Sequence, residues 1–247
     1  MYNSSMQSYL RLFLSLSLIL AFVHAANAQP TQPMTILSPG EGSLVTAPIE
    51  VTAMIHAGED GLVRLTLVDR KQNLLARQLL RVDALSDSTF EFSTLLAFEI
   101  PTDTTSAILT ITTKDRFHRP LAMRSAMLNL ANGGEEQILL HLNEDPWLTV
   151  TQPEPGAVIS DSPLLITGTV RPINETPIYF ELMTERGRAI FSKQLAVETP
   201  GIDFEFSVSL AYSPVVKQEN MRLVIWQSAG WPGVIGVLDS LPVIIAP

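Results

Sequence analysis

The stretch FEFSTLLAF at residues 90–98 returns further along the chain as FEFSVSLAY at residues 204–212. Two upstream segments return in the same order and at nearly the same spacing: ILSP (36–39) as VTQP (150–153), and APIEVTA (47–53) as SPLLITG (162–168). Matched order over about a hundred residues is typical of a duplicated domain of ordinary size. The sequence therefore predicts two related domains in tandem.

The repeated stretch has the pattern of a β-strand with one packed face. Phe90 and Phe92 alternate with polar residues, and alternate side chains of a strand point to opposite faces of a sheet. Short segments of this kind, separated by Gly, Pro, Asn and Asp turns, are typical of an immunoglobulin-like β-sandwich. We predict an all-β chain with two tandem immunoglobulin-like sandwiches of about seven strands each, at residues 34–130 and 147–247. Pro242 predicts an edge position for the last strand, because proline has no N–H to donate.

Residues 1–28 have the features of a secretory signal peptide. Arg11 is the only charged residue before an apolar run at residues 12–23, and Ala-Asn-Ala follows at 26–28. The run is short for a membrane span, and the small residues lie where a signal peptidase would cut. We predict a secreted or extracytoplasmic protein with no membrane span after cleavage. The alternative is an uncleaved run that acts as an anchor.

Composition excludes several kinds of chemistry. The chain has no cysteine, which rules out disulfides, thiolate catalysis and cysteine-bound metals. Its formal net charge of −9 argues against nucleic acid or anionic lipid as a partner. Histidines 56, 118 and 141 lie in no metal-ligand motif, and nucleophile-elbow, phosphate-loop and dinucleotide motifs are missing from the sequence. We therefore expect a protein that is not an enzyme and binds no cofactor.

The second repeat resembles a known family. A Pro-x-x-Gly turn at 153–156 precedes the strand SPLLITG at 162–168, and IYFE at 178–181 opens the next strand. These features are similar to the immunoglobulin-like domain of bacterial spore-germination and other envelope proteins, over most of residues 147–247. In the first repeat, alanines 47 and 53 replace the Ser and the Gly of that strand. The resemblance implies a non-catalytic extracellular module for adhesion or scaffolding.

An acidic linker is predicted at residues 131–146. Apolar residues alternate at 138, 140 and 142, so part of the linker can form an extra strand along a domain edge. A linker that packs would fix the angle between the repeats, whereas one that does not would let them swing. Oxygen ligands at such a junction could also hold Ca²⁺; the candidates are Glu135, Glu136, Asn143, Glu144 and Asp145. The alternative is a solvated linker without a metal.

Candidate binding residues lie in the loop before each final strand. In the second repeat this loop holds Trp231 and Pro232, and in the first it holds Phe117, His118 and Arg119. Loops at the end of a rigid sandwich commonly bind partners, and large aromatic side chains are strong anchors. The alternative is that these rings fold back to cap their own cores.

Three functions are compatible with these features. We expect a non-catalytic exported module of the bacterial cell envelope that mediates protein–protein or surface interaction, with a protein or cell-surface partner. One alternative is an exported carbohydrate-binding or carbohydrate-active protein that uses exposed loop aromatics. The other is an envelope assembly subunit that acts by β-strand addition at a free sheet edge.

Overall fold

The computed structural model describes residues 34–82, 89–141, 146–213 and 215–247. Within these residues the chain forms sixteen β-strands and no helix, so the predicted all-β fold is confirmed. The same residues therefore contain no helix long and apolar enough to cross a membrane. The predicted signal peptide at residues 1–28 lies outside the described residues.

The first repeat contributes eight of these strands. They are β1 (Thr35–Ser38), β2 (Leu44–Thr46), β3 (Ile49–His56), β4 (Leu62–Asp69), β5 (Leu74–Arg81), β6 (Thr89–Leu96), β7 (Thr104–Lys114) and β8 (Pro120–Ala131). Strands β1, β3 and β6 form a three-stranded sheet in the order β1-β3-β6, and the other five belong to a larger sheet.

The second repeat has the same arrangement. Its strands are β9 (Leu148–Gln152), β10 (Val158–Ile159), β11 (Leu164–Val170), β12 (Ile178–Thr184), β13 (Ala189–Leu195), β14 (Phe204–Leu210), β15 (Glu219–Ser228) and β16 (Ile235–Ile245). Strands β9, β11 and β14 form a second three-stranded sheet. In both repeats the chain crosses to the large sheet after its first strand. There β2 runs parallel to β8, and β10 runs parallel to β16, the last strand of each repeat.

The duplicated stretch forms β6 and β14, and its apolar face is packed as predicted. Phe206, Val208 and Leu210 are buried, and the residues between them are exposed. The ring of Phe206 lies 5.3 Å from that of Phe180 on the opposite sheet. Phe92 is partly buried against the core of the first repeat. The strand therefore closes one side of each sandwich.

Each repeat encloses its own hydrophobic core. The buried cluster of the first repeat extends from Met34 to Leu130, and that of the second extends from Trp147 to Ile245. Each core lies between a three-stranded sheet and its half of the large sheet, the packing that defines a β-sandwich.

The two repeats share the large sheet. Its main order is β13-β12-β15-β16-β8-β7-β4-β5, so the last strands of the two repeats lie side by side. They run antiparallel, with Val237 opposite Arg124, Leu238 opposite Met123 and Asp239 opposite Ala122. One sheet therefore crosses from one sandwich into the other.

The edge position predicted from Pro242 is wrong. Strand β16 has β15 on one side, and β8 followed by β10 on the other. The N–H of Gly156, which leads into β10, donates to the carbonyl of Pro242 at 2.7 Å. Since the N and O atoms of one strand residue point to the same side, the missing N–H also faces away from β15. There the neighbouring strand changes from β8, whose pairing ends at Asp239, to β10, whose pairing begins at Ile244.

Candidate functional site at the junction of the repeats

A buried ion pair joins the two repeats beside the β8–β16 pairing. Arg124 and Asp239 both point to the inner face of the shared sheet, and Arg124 Nη2 lies 2.9 Å from Asp239 Oδ2. The exposed fractions of the two side chains are 11% and 2%. A buried charge is tolerated when it is paired and hydrogen-bonded, so each of these residues depends on the other.

Trp147, just before β9, also contacts this ion pair. Its indole Nε1 donates to the same Oδ2 atom of Asp239, and the Arg124 guanidinium lies 5.8 Å from the centre of its ring. Arg124 Nη1 also donates to the carbonyls of Met123 and Leu238, at 2.7 and 3.0 Å. Burial raises the pKa of Asp239, although the charge of Arg124 and the two hydrogen bonds act in the opposite direction. The junction thus connects β8, β16 and the start of the second repeat.

A second polar cluster lies at the other end of the β8–β16 pairing. Arg119 Nε donates to Asp115 Oδ2 at 2.7 Å, and Arg222 of the second repeat places its Nε 3.4 Å from the same oxygen. Burial raises the pKa of Asp115, but hydrogen bonds from Arg119 and the two arginine charges outweigh it, so the pKa is lowered. Burial lowers the pKa of Arg222, and the charges of Asp115 and Glu59 oppose this effect. Both repeats therefore supply charges to one buried cluster.

Serine hydroxyls satisfy backbone groups where the two strands separate. Ser240 Oγ lies 2.9 Å from the carbonyl of Pro120 and 3.0 Å from that of Leu121. At the opposite end, Ser125 Oγ donates to the carbonyl of Ile235 at 2.7 Å. Buried carbonyls without a partner would destabilise the junction, so these hydroxyls extend it beyond the paired residues.

The loop that holds Trp231 and Pro232 contacts the first repeat. Trp231 is half-buried, and the guanidinium of Arg70, in the β4–β5 turn, lies 5.4 Å from the centre of its ring. Gln72 Nε2 in the same turn donates to the carbonyl of Pro232 at 3.2 Å. This loop is therefore part of the contact between the repeats.

Phe117, His118 and Arg119 lie at the opposite end of the junction, because each aromatic loop precedes one of two antiparallel strands. The Phe117 side chain is 37% exposed, with the guanidinium groups of Arg116 and Arg119 at 4.9 and 5.2 Å from its ring centre. His118 is exposed, whereas Arg119 is buried. Phe117 and His118 can meet a partner, and Arg119 positions the loop through Asp115.

The candidate calcium ligands are only partly described. Glu136 Oε1 accepts hydrogen bonds from the N–H and the hydroxyl of Thr46, both at 2.7 Å, and these bonds lower its pKa. Glu135 is exposed. Asn143, Glu144 and Asp145 lie outside the described residues. Within the described residues, no group of three or more His, Cys, Asp or Glu side chains is arranged to hold a metal ion.

The described part of the linker is bonded to the first repeat. Four backbone hydrogen bonds fix it beside β1 and β2: Gly40 N to Leu139 O at 2.6 Å, Leu44 N to Gln137 O at 3.0 Å, Gln137 N to Leu44 O at 2.9 Å, and His141 N to Leu37 O at 3.0 Å. Ile138 and Leu140 are nevertheless exposed, at 42% and 61%. This segment follows the domain edge through backbone contacts rather than through a packed apolar face.

A cleft of about 460 Å³ lies between the repeats where β8 and β16 diverge. Most of its lining is apolar, with Met34, Ile36, Ala126, Trp147, Ile173 and Val237 among the contributors. Arg124 and Arg171 are charged groups of the lining, and each is already ion-paired, with Asp239 and Asp203. The volume is within the range of small-molecule sites, but the arginine charges are compensated within the protein.

The junction residues were not among the candidates from the sequence, although the sequence held a signal for them. In β16, Asp239 takes an inward position between the buried residues Val237 and Leu241. In β8, Arg124 takes an inward position between Ala122 and Ala126. A charged residue on the packed face of a strand predicts a buried partner.

Comparisons with known proteins do not assign a family. No protein-family model matches the chain, and no curated protein matches it. Among solved structures, dimeric latent PorU from Porphyromonas gingivalis matches with a TM-score of 0.26 and 10% identity, covering 88% of this chain and 24% of PorU. A mutant of Salmonella alpha-2-macroglobulin matches with a TM-score of 0.29 and 14% identity, covering 92% of this chain and 15% of that protein. The chain thus spans less than a quarter of either protein.

Proposed function

We propose that the protein is a non-catalytic exported module of the bacterial cell envelope that binds a protein partner. One observation carries the proposal: the two repeats share one β-sheet and a buried Arg124–Asp239 pair. Removing either residue of such a pair leaves the other as an uncompensated buried charge, so the two repeats depend on each other at this contact. Two domains joined in this way hold their separate surfaces at a defined spacing, as a scaffold requires.

The Phe117 loop is the first of these surfaces. Its aromatic ring is exposed between two arginine side chains, and Asp115 fixes the loop by accepting hydrogen bonds from the N–H groups of Phe117 and Arg119 at 2.9 and 2.8 Å. A pre-ordered aromatic side chain loses little entropy on binding. This loop lies at the far end of the shared sheet from the Trp231 loop, which is occupied by its contact with Arg70.

The signal-peptide pattern and the family resemblance support the same proposal. The pattern at residues 1–28 is typical of exported proteins. The strand motif at residues 162–168 resembles envelope modules that act through binding. A second candidate function, assembly by strand addition, is favoured by the free edge of β5 described below.

Site-specific photocross-linking in the bacterium of origin tests the proposal. A photoreactive phenylalanine analogue replaces Phe117, and the control replaces Ser209, which is exposed on the outer face of β14. We expect one envelope protein to be cross-linked from position 117 and not from position 209. Failure to cross-link any protein, together with saturable binding of one polysaccharide that Trp231→Ala abolishes, would instead establish the carbohydrate-binding alternative.

A further inference from the structure

Strand β5 ends the ten-stranded sheet on the side of the first repeat, and β4 is its only neighbour among the described strands of that sheet. Just beyond β5, the N–H of Val82 donates to the carbonyl of Gly61 at 3.0 Å. Hydrogen-bonded and non-hydrogen-bonded pairs alternate along an antiparallel ladder. The backbone N–H and C=O groups of Arg77, Leu79 and Arg81 therefore point away from β4, toward the free edge.

The side chains along this edge include exposed leucines. Leu74 is 58% exposed and Leu79 is 51% exposed, and Arg77 and Arg81 are exposed beside them. Single exposed leucines are common on protein surfaces. An edge strand that combines apolar side chains with unpaired backbone groups, however, is a template for pairing with another chain.

Strand β13, at the other end of the same sheet, provides a matched comparison. One cross-strand row runs through the sheet: Gln194, Tyr179, Trp226, Leu238, Met123, Thr112, Arg64 and Leu79. Its centre is the pairing of the two last strands, so its ends, Gln194 and Leu79, occupy equivalent positions.

The same comparison extends along both edges. Leu74 corresponds to Ala189, and Arg77 corresponds to Ser192, because each pair occupies the same register against its neighbouring strand. The second repeat thus ends the sheet with small or polar side chains, which give a further strand no apolar cross-strand contact. The first repeat has leucine and arginine at the equivalent positions.

The β5 edge is basic, although the chain has a formal net charge of −9. Arg77 and Arg81 lie on β5, and Arg70 and Lys71 lie in the turn before it. The carboxylate of Asp69 accepts hydrogen bonds from two backbone N–H groups of that turn, at 2.7 and 2.9 Å. It is held within the turn, away from the arginines of the strand. A partner segment with negative charge would therefore complement the described part of this edge.

Charge disfavours a second copy of the chain as that partner. Antiparallel pairing of β5 with another β5 would place arginine side chains beside arginine side chains. On β13 of another copy, the outward side chains Ser192 and Gln194 carry no negative charge to pair with these arginines. Like charges on neighbouring strands are destabilising, so pairing of two β5 strands is opposed, and β13 offers the arginines no acidic partner.

We propose that the free edge of β5 binds an extended acidic segment of a protein partner, which adds to the sheet as a further strand. Backbone hydrogen bonds at Arg77, Leu79 and Arg81 hold the segment, as in other cases of strand addition. On the outer face, an apolar side chain of the partner contacts Leu79 and acidic side chains pair with the two arginines. This inference rests on the proposed function, because it specifies the chemistry of a protein partner.

The test is an NMR titration of the isotope-labelled exported protein with the end-capped peptide Thr-Glu-Thr-Val-Thr-Glu-Thr. We expect amide shifts at residues 77–81 that are absent from β13 and that weaken as salt is added. A version with lysine for glutamate should not bind. A version N-methylated at alternate residues should not bind either, because it cannot donate to the edge.

The equivalent residues of β13 define a matched variant of β5. Arg77→Ser with Leu79→Gln gives β5 the residues that β13 carries at exposed positions, so the fold should be retained, and the amide spectrum checks this. We expect binding about tenfold weaker, since each cross-strand pair contributes up to about 1 kcal/mol. Gln194→Leu on β13 should leave peptide binding unchanged.

Three results would overturn the inference: no shifts at β5, equal binding of the N-methylated peptide, or undiminished binding to the double variant. If the peptide does not bind β5 while position 117 still cross-links an envelope protein, strand addition at β5 is refuted and the proposed function is retained. If the peptide does not bind and position 117 cross-links no protein, both strand addition at β5 and the proposed function are refuted.

Discussion

Arg124 and Asp239 occupy equivalent positions in the two repeats and form an ion pair with each other. Around the central pair of Met123 and Leu238, Arg124 lies opposite Val237 and Ala122 lies opposite Asp239. The two charged residues are therefore diagonal neighbours on one face, within reach of long side chains. One position of the duplicated unit thus carries opposite charges in its two copies.

The first prediction concerns this ion pair. Arg124→Met should lower the free energy of unfolding by about 3 kcal/mol, because Asp239 would remain buried without a compensating charge. Adding Asp239→Asn removes that charge but leaves an acceptor for Trp147, so it should restore at least half of the loss. Urea unfolding of the wild type and the variants measures both effects. A double variant less stable than Arg124→Met would contradict the explanation.

The second prediction follows from the raised pKa of Asp239. Between about 4, the usual pKa of aspartate, and its raised value in the folded state, the folded protein binds a proton that the unfolded chain has released. Stability contributed by this group therefore falls as pH rises through that window. Asp239→Asn abolishes this dependence, so the variant should gain stability relative to the wild type across the window. Urea unfolding at a series of pH values measures the difference; a relative loss would show that attraction by Arg124 outweighs burial.

The third prediction concerns the Trp231 loop. Trp231→Ala and Arg70→Ala should each lower the free energy of unfolding by about 1 kcal/mol, since the cation–π contact is partly desolvated. The double variant should lose less than the sum, because both residues serve one contact. A thermodynamic cycle from chemical unfolding measures this coupling. Strictly additive losses would mean that the contact contributes nothing.

The fourth prediction concerns Phe117, whose side chain is 37% exposed. Phe117→Ala should leave the melting temperature nearly unchanged and weaken partner binding by about 2 kcal/mol or more, as expected for an anchoring aromatic residue. The matched control is Phe180→Ala in the core, which should cost about 3 kcal/mol or more of stability. Calorimetry and binding to the cross-linked partner distinguish the two effects. A large stability loss for Phe117→Ala would show that the ring supports its own domain.

The fifth prediction separates the two copies of the strand motif. A Cβ atom at Gly168 would collide with the carbonyl oxygen of Thr149 and approach Phe206 to 3.0 Å, and the register of the β9–β11 pairing shifts at this point. Gly168→Ala should therefore destabilise the protein by about 2 kcal/mol or more. The first repeat has Ala53 at the corresponding position, and Ala53→Gly should cost only about 1 kcal/mol. Thermal unfolding compares the two variants, and a smaller loss for Gly168→Ala would contradict the steric account.

The strand content could be predicted from the sequence because alternation is a local property. Phe206, Val208 and Leu210 show one packed face whatever strand lies beside them. The neighbours themselves are not encoded in that alternation. The position of Pro242 illustrates this limit, since the missing N–H faces a change of partner strand rather than solvent.

The junction could not be predicted for the same reason. Pairing of β8 with β16 joins residues far apart in sequence, and alternation reports only the face on which a side chain lies. The charges of Arg124 and Asp239 on packed faces indicated that buried partners existed, without identifying them. The sequence marked the Trp231 loop as aromatic and exposable, but its contact with Arg70 depends on the same long-range pairing.

Pairing through equivalent strands makes the tandem chain an internal version of a symmetric dimer. A homodimer of the first repeat built on β8 would bring two copies of Arg124 together, and one of the second repeat built on β16 would bring together two copies of Asp239. Each would bury like charges, whereas the mixed pair buries opposite ones. If the gene were split between the repeats, the two halves would select each other over themselves and reassemble in a one-to-one ratio.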